Sequence, residues 1–443
     1  MTPQEQKTTF SLACIYAFRM LGLFMILPIF SLYAPTLNHA TPTLIGIALG
    51  IYGLTQATFQ IPFAMISDRI GRKPVILMGL LLFIVGSIIA ALSNDIIWII
   101  VGRAIQGAGA IGSTLIALVA DNTKEENRLK AMAIVGMTIG LSFMIAMVLG
   151  SVIQPFIGLS GIFWLTAFLA SIAIIILYYG VPTPRYRGIH RDSEPVLGQF
   201  TRILANQQLL RLNVGIFSLH AILMALFIVL PLMLVHTTAQ LGEAQQWKIY
   251  LPTLLVAVVL ILPFVMIAEK KRLIKPLYII AILLLGLTQP LFFIFKSTLL
   301  GLSLTLCLFF TAFTFLESCL PSLVSKIAPA GNKGTAMGIY SSAQFLGIFV
   351  GASLGGLLYK HFGLIGLFLF CTTMAVVWLV LAITMKNPPY LSSKIIAVSV
   401  ANDPAAIRAL EASFLKKPGV SEVMICPDEQ VAYLKIDRKI YVE

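Results

Sequence analysis

Long apolar segments alternate with short polar ones along most of the chain. Each is close to the ~20 residues that an α-helix needs to cross a bilayer. The first set lies at approximately 9–33, 43–66, 75–94, 96–119, 130–154 and 160–182. The second set lies at approximately 212–235, 248–268, 275–295, 298–324, 334–358 and 363–385. The pattern predicts an all-α membrane protein with twelve transmembrane helices in two pseudo-symmetric bundles, 1–183 and 208–386, joined by a linker at 184–207.

Composition agrees with this class. The 443 residues are 58% hydrophobic and only 11% charged, whereas soluble domains carry about 25% charged residues. The mean hydropathy is +0.94. No small-residue cleavage pattern follows the first apolar segment, so we expect a retained helix rather than a removable signal peptide.

Lysine and arginine are distributed unevenly among the loops. When the loops are taken alternately, the poor set holds only Lys248, Lys296 and Lys360. The rich set holds Arg69, Arg72, Lys73, Lys124, Arg128, Lys130, Arg185, Arg187, Arg191, Arg202, Lys270, Lys271, Arg272, Lys275, Lys326 and Lys333. The positive-inside tendency predicts that the rich loops and both termini are cytoplasmic. This asymmetry makes up most of the net charge of +13, so we do not expect nucleic-acid binding.

Residues with the spacing of a catalytic or metal site are absent from the sequence. Its cysteines show no metal-ligand or redox spacing. No nucleophile with a neighbouring base and no phosphate-binding glycine loop is evident. We therefore expect no enzyme activity, no metal and no cofactor.

One loop is more specific than a basic connection. The segment Asp68–Pro74 concentrates charge between two apolar segments, so it must lie at a membrane surface. Its glycine suits a tight turn and its cations suit lipid headgroups. The residues that define it are Asp68, Arg69, Gly71, Arg72 and Lys73.

The two halves are related by a weak internal repeat. At one constant offset, Gly158 matches Gly363, and Asn127, Ala131, Met132, Ile134 and Gly150 match Asn332, Ala336, Met337, Ile339 and Gly355. The stretch 61–68 also resembles 262–269, and both following loops end in Lys-Pro. Two similar halves are typical of a transporter in which one half rocks against the other around a central site.

The charged loop resembles the signature G-x-L-a-D-R-x-G-R-R/K of the major facilitator superfamily, with Ala64 and Ile66 in place of the usual Gly and Leu. The family's R-x-x-Q-G motif in span four is matched by Arg103, Gln106 and Gly107. The L-G-x5-P motif of drug:proton antiporters is matched by Leu21, Gly22 and Pro28, with Ser31 at the later proline. The sequence departs from the antiporters' Gly-Pro pair at Gly150-Ser151. With its soluble tail, the chain resembles a bacterial group of drug:proton antiporters.

The resemblance implies function as well as fold. It implies a transporter of the bacterial inner membrane, driven by the proton gradient, that exports small molecules. Spans one, four, seven and ten are expected to line its cavity. By the same resemblance, Asp121 would meet Arg72 and Asp68. With Arg69, Gly71 and Lys73 they would form a latch that holds the cytoplasmic ends together in the outward-open state and so biases the conformation.

Ionisable groups within spans are costly, so they are functional candidates. Arg19, Arg103, His220 and Glu317 lie in spans one, four, seven and ten. Glu317 stands among phenylalanines, and His220 titrates near neutrality when unperturbed, so both are candidates for proton coupling. The alternatives are a permanent ion pair of Glu317 with Arg19 or Arg103, and a helix–helix hydrogen bond for His220. Span eleven also carries Gly347, Gly351 and Gly355 at a spacing that favours close helix packing, and we expect Gly22, Pro28 and Gly150 to lie at helix contacts as well.

The substrate is only weakly constrained. Many apolar and aromatic residues and few polar clusters favour a lipophilic substrate, either neutral or cationic, over a sugar or nucleotide. Two alternatives to an exporter stay open: a symporter or facilitator for a small metabolite, and a transporter-like sensor that signals through its tail. We expect a monomer in the lipid bilayer, with a small molecule and a proton as partners.

The tail at 391–443 has the composition of a small soluble domain. A strand at Lys394–Val400, a helix after the N-cap Asp403, and strands at Ser421–Cys426 and Val431–Ile436 are predicted. This β-α-β-β order resembles an incomplete ferredoxin-like domain of heavy-metal-associated proteins. Its metal-binding C-x-x-C is missing, so we expect an α+β cytoplasmic domain that docks a partner or the transporter itself.

Overall fold

A computed structural model describes residues 1–123, 125–182, 200–237, 245–330, 332–388, 391–398, 403–427, 430–437 and 440–441. The linker predicted at 184–207 lies mostly outside these residues. The chain is predominantly helical, as predicted, and a small sheet follows the last long helix.

The first half is built from seven helical elements because two of the predicted spans are interrupted. These are α1 (Pro3–Phe24), α2 (Phe30–Tyr33), α3 (Pro42–Ile70), α4 (Arg72–Leu92), α5 (Ile96–Ala108), α6 (Gly112–Asp121) and α7 (Glu125–Gly180). The second half contains α8 (Phe200–Leu204), α9 (Gln207–Thr237), α10 (Trp247–Lys270), α11 (Ile274–Ile294), α12 (Leu299–Ile327) and α13 (Lys333–Ile383).

Spans one and four, predicted as continuous, are each broken in the structure. The first leaves helical geometry after Phe24, because the ring of Pro28 is incompatible with the carbonyl four residues before it. The second is interrupted between Ala108 and Gly112. There Arg19 donates to the carbonyl oxygen of Gly109 at 3.0 Å, and the same oxygen accepts from the backbone N–H of Ile111 at 2.9 Å.

The repeat predicted from the sequence is visible in the backbone. Gly158 within α7 has φ 67° and ψ −175°, and Gly363 within α13 has φ 60° and ψ −152°. These are the residues that the repeat aligns. A left-handed φ favours glycine, and here it bends the same helix pair in both halves.

Nine helices in the described part of the chain are long and apolar enough to cross a membrane. Two of these, Lys130–Gly180 and Lys333–Ile383, have 51 residues each. That is more than twice the ~20 residues that one crossing needs. The bends at Gly158 and Gly363 lie within them.

The two ends of the helical bundle are named here by one residue each, the Arg72 end and the Asp95 end. Near the Asp95 end, α3 and α13 join the two halves backbone to backbone. A Cβ on Gly46 would overlap the carbonyl oxygen of Ala352, and one on Gly356 would overlap that of Pro42. Ser31 of α2 also donates to the carbonyl oxygen of Phe227 at 3.0 Å. Glycines therefore permit the tightest contact between the halves.

The tail forms the predicted α+β unit. Strands β1 (Ser392–Ala397), β2 (Val420–Cys426) and β3 (Val431–Ile436) flank α14 (Pro404–Leu415) in the chain order β-α-β-β. The sheet order is β1-β3-β2 and both pairings are antiparallel. The side chain of Asp403 caps α14 by accepting from the backbone N–H groups of Ala405 and Ala406.

All six residues of β3 are buried. Side chains alternate along a strand, so both faces of the sheet must be covered. Leu434 and Ile436 pack with Phe414 of α14 on one face. Tyr433 packs with Ala330, which follows α12, on the other face. The sheet therefore lies between its own helix and the second half.

Candidate functional site

The predicted latch residues come together at the Arg72 end of the first half. Gly71, with φ 106° and ψ 155°, ends α3 and precedes α4. The Arg72 guanidinium contacts Asp68, donates to Ser67 Oγ at 2.7 Å, and lies 3.3 Å from Asp121 Oδ2. Only 6% of the Arg72 side chain and 1% of the Asp121 side chain are exposed. One arginine thus joins α3, α4 and α6.

The other two charges of this loop lie apart from that group. Arg69 is exposed and Lys73 is half-buried. The sequence grouped them with Arg72 because all lie in one motif. The structure separates a buried arginine from two more accessible cations.

The corresponding loop of the second half also has a residue with positive φ, but its side-chain contacts differ. Arg272 has φ 55°, like Gly71 a positive value. A left-handed φ is unfavourable for a residue with a Cβ. Arg272 Nη2 lies 3.0 Å from both carboxylate oxygens of Asp437, which follows β3. The small domain therefore supplies the acid that contacts this loop.

A second contact fastens the small domain to the end of α12. Lys435 is 3% exposed, and its Nζ donates to the carbonyl oxygens of Ser325 and Lys326 at 2.8 Å each. These carbonyls belong to the last turn of α12, where a cation also complements the helix dipole. The contact holds the end of the helix that carries Glu317.

Glu317 and His220, which the sequence singled out, are bridged by Gln344 of α13. The Gln344 amide lies 2.9 Å from His220 Nε2 and donates to Glu317 Oε1 at 3.3 Å. His220 Nδ1 lies 3.3 Å from the carbonyl oxygen of Ile216. His220 Nε2 and Glu317 Oε2 are 3.8 Å apart. Helices α9, α12 and α13 thus meet in one polar group.

Aromatic rings surround this polar group. Phe313 meets the His220 ring edge-on with centroids 5.9 Å apart. Phe143 of the first half stacks on Phe313 at 6.1 Å and meets Phe24 at 5.0 Å. The side chain of Glu317 is nevertheless 37% exposed. Part of the side chain is therefore accessible, whereas its Oε2 atom is buried.

Arg19 lies inside the first half, away from Glu317. Its Nη2 atom donates to Gln56 Oε1 at 2.5 Å and to the carbonyl oxygen of Gly109 at 3.0 Å. Its guanidinium also lies 6.0 Å from the centroids of the Tyr52 and Phe83 rings. Within the described residues, neither Arg19 nor Arg103 forms an ion pair with Glu317.

Arg103 forms a separate buried chain of hydrogen bonds. Its Nη1 donates to Gln106 Oε1 at 3.1 Å, and Gln106 donates onward to Ser87 Oγ at 2.7 Å. Its Nε donates to the carbonyl oxygen of Ala48 at 3.4 Å, and its guanidinium lies 5.1 Å from the Tyr52 ring centroid. Tyr52 therefore lies against both buried arginines. Two cations inside one half make its interior electropositive.

The predicted packing glycines all lie at helix contacts. Gly347 and Gly351 of α13 leave room for the carbonyl oxygens of Phe217 and Ala221 of α9, and Gly355 faces Ala225. In the first half, Gly22 faces Thr166, and Gly150 faces the carbonyl oxygen of Met25. Pro28 is buried at the break after α1.

Sequence reasoning missed Gln344 and Gln56. A polar amide within an apolar span was the signal that could have found them, since its desolvation needs a partner. No group of three or more potential metal ligands occurs in the part of the chain that is described.

These features agree with one protein family. The model of the Major Facilitator Superfamily matches residues 12–352 and 243–420. The chain belongs to this superfamily. Members are membrane transporters, and the chain is accordingly a multi-pass membrane protein of transport function.

Individual relatives agree. The chain is 46% identical over 440 residues to the inner membrane transport protein YajR of Escherichia coli K12, covering 99% of this chain and 96% of that protein. It is 37% identical to the uncharacterized transporter BU466 of Buchnera aphidicola, over 78% of this chain and 89% of that protein. The YajR group is the bacterial group that the sequence resembles.

Solved structures agree on the fold. A point mutant of the nucleoside transporter NupG superposes with a TM-score of 0.69, covering 85% of this chain and 99% of that one at 14% identity.

Proposed function

We propose that the protein is a secondary active transporter that couples export of lipophilic small molecules to proton entry. Twelve membrane crossings follow if α7 and α13 each cross twice and if α1 with α2, and α5 with α6, each form one interrupted span. The protein would then lie in the bacterial inner membrane with both termini in the cytoplasm, in keeping with the loop charges.

The observation that carries the proposal is the bridge from Gln344 to Glu317 and His220. As an amide donor, Gln344 needs a lone pair on His220 Nε2, so the imidazole is neutral with its proton on Nδ1 near the Ile216 carbonyl. Glu317 Oε2 accepts no hydrogen bond from the described residues. It is therefore a site where a proton can add without displacing a donor.

A proton on His220 has a different effect from one on Glu317. Protonated Nε2 no longer accepts from Gln344, and it can donate to Glu317 Oε2, which lies 3.8 Å away. Gln344 must then release one partner. Because α13 also carries the glycine contacts with α3, a change at Gln344 acts on the helix that joins the halves. Proton uptake thereby connects to rearrangement of the halves.

The substrate class rests on the aromatic residues beside His220. Phe143 of the first half meets Phe310 and Phe313 of the second half, and Phe313 lies against His220, which suits an apolar substrate. A symporter for a small metabolite would use the same proton site but would move its substrate in the same direction as the proton, and a facilitator would move its substrate without a proton. Arg19 and Arg103 favour substrates without strong positive charge near the first half, because like charges repel.

We infer two roles at the Arg72 end. Arg72 with Asp68 and Asp121 would act as the latch that biases one conformation. In the second half, the internal repeat aligns Asp121 with Lys326, whose carbonyl oxygen binds Lys435. There Asp437 would supply the acid that is missing at the Asp121 position, and Lys435 would bind the end of α12. This favours a regulatory domain docked on its own transporter over a domain that awaits another protein.

The coupling proposal has a direct test in proteoliposomes. Glu317→Gln should abolish substrate movement driven by a pH gradient but retain counterflow exchange, because the neutral amide mimics the protonated state. Ethidium and an anionic dye serve as probes, and Glu411→Gln in the small domain is the matched control. Full pH-driven flux in Glu317→Gln would rule out coupling through this residue.

A further inference from the structure

A cavity lies at the Arg72 end, on the outside of the first half. Its volume is about 660 Å³. It lies where α1 and α4 begin and α7 ends, and its walls include Gln4, Lys7, Lys73, Tyr178 and Tyr179. The described residues that line it include two cations and no acid. None of them takes part in the proposed transport site around Glu317.

The charges of this cavity favour an anion. Lys7 is exposed and Lys73 is half-buried. The N-terminus of α4, which has no side-chain cap, adds positive partial charge. The nearest acid on α1, Glu5, is occupied elsewhere, accepting from the backbone of Thr2 at 2.7 Å and from the Asn127 amide at 3.0 Å. The Glu5 carboxylate is engaged by these two donors, and no ion pair between Glu5 and Lys7 occurs among the described residues.

The aromatic residues locate the cavity at the membrane surface. Tyr178 is 64% exposed and Tyr179 is 86% exposed. Exposed tyrosines at the end of a transmembrane helix are typical of the headgroup region. One turn farther along the same helix faces lie Phe10 and Ile175, which are 69% and 57% exposed. The cavity thus combines the cations Lys7 and Lys73 with an adjoining apolar helix surface.

We propose that this cavity binds the headgroup of an anionic phospholipid from the leaflet at the Arg72 end. Lys7 and Lys73 bind the phosphodiester, and Tyr178 and Tyr179 flank the headgroup. The acyl chains lie along α1 and α7 beside Phe10 and Ile175. Basic pockets between membrane helices bind such headgroups by the same chemistry.

The test uses the purified full chain in detergent with added phosphatidylglycerol or phosphatidylcholine, followed by thermal unfolding and native mass spectrometry. Phosphatidylglycerol should raise the melting temperature and remain bound, and phosphatidylcholine should do neither. Lys7→Gln should weaken binding about fivefold, and Lys7→Gln with Lys73→Gln about 25-fold. Lys360→Gln, an exposed lysine elsewhere, is the matched control and should bind as the original chain does.

Three results would overturn the proposal. The first is equal affinity for phosphatidylglycerol in the double variant and the original chain. The second is equal stabilisation by phosphatidylcholine. The third is equal stabilisation by glycerol phosphate, which would identify a soluble phosphate rather than a lipid. Lys7 is exposed on the first turns of α1, so the single variant keeps the test valid if the double variant does not fold.

Discussion

Arg272 and Asp437 join two parts of the protein that lie far apart in sequence. One guanidinium nitrogen is 3.0 Å from both carboxylate oxygens. Exposed ion pairs contribute only about 0–1 kcal/mol. Asp437→Asn should therefore loosen the small domain only slightly, and Lys435→Met, which leaves two carbonyls without a donor, should loosen it by about 1–3 kcal/mol.

Hydrogen exchange in β2 and β3 measures this loosening. Exchange should rise more in Lys435→Met than in Asp437→Asn, and Lys416→Met on the exposed surface should leave it unchanged. The docking interpretation fails if all three variants exchange alike. Removal of 391–443 with unchanged transport would separately argue against a regulatory role.

Because α9 and α13 are in close contact, we expect the stability of the protein to depend sharply on side-chain size at their interface. A methyl group on Gly351 would overlap the Ala221 carbonyl oxygen, whereas one on Gly140 would meet nothing within 4 Å. Gly351→Ala should lower stability by about 1–3 kcal/mol, which reduces the melting temperature. Gly140→Ala should be neutral or slightly stabilising, because alanine favours helix.

Because the bends in α7 and α13 are equivalent, we expect the same substitution to have the same effect on stability at both. Nothing lies within 4 Å of a Cβ built on Gly158 or Gly363. Only backbone strain therefore opposes alanine there, at about 1–2 kcal/mol for each site. Gly158→Ala and Gly363→Ala should lower the melting temperature by similar amounts. Markedly unequal shifts would contradict the structural equivalence of the two bends.

The latch predicts a separation of binding from transport. Arg72→Ala should lower flux while substrate binding persists, because the contacts of Arg72 lie away from the polar group of His220, Glu317 and Gln344. Arg69→Ala, a change to an exposed cation of the same loop, is the control and should have little effect. Binding by equilibrium dialysis and flux in vesicles provide the two readouts, and equal loss of both in Arg72→Ala would exclude the latch.

We expect the contribution of Asp95, which lies outside the membrane-spanning segments, to the stability of the fold to depend on pH. Its pKa is lowered by the hydrogen bond from the Ile97 backbone N–H and then by His39. A carboxyl with a depressed folded-state pKa stabilises the fold above its unfolded value of about 3.9, and this stabilisation is lost as pH falls through the folded value. Asp95→Ala should therefore lower the melting temperature at neutral pH, and the difference should vanish in strong acid.

The lengths of the apolar segments and the internal repeat predicted most of the helices. A segment in lipid must be hydrophobic and must pair its own backbone N–H and C=O groups. They did not predict the break at Gly109, since it depends on Arg19 from another helix. Glu317 and His220 stood out as costly charges in apolar spans. Gln344 did not, because an uncharged amide is conspicuous only when its two partners are known.

The burial of β3 has a consequence for biogenesis. β3 lies between β1 and β2 and pairs with both, so the sheet cannot form before β3 is present. β3 is also the last of the three to be synthesised, after every long helix has left the ribosome. The small domain can thus close on Arg272 and the end of α12 only once the second half exists in the membrane. Its docking would report that insertion of the preceding helices is finished.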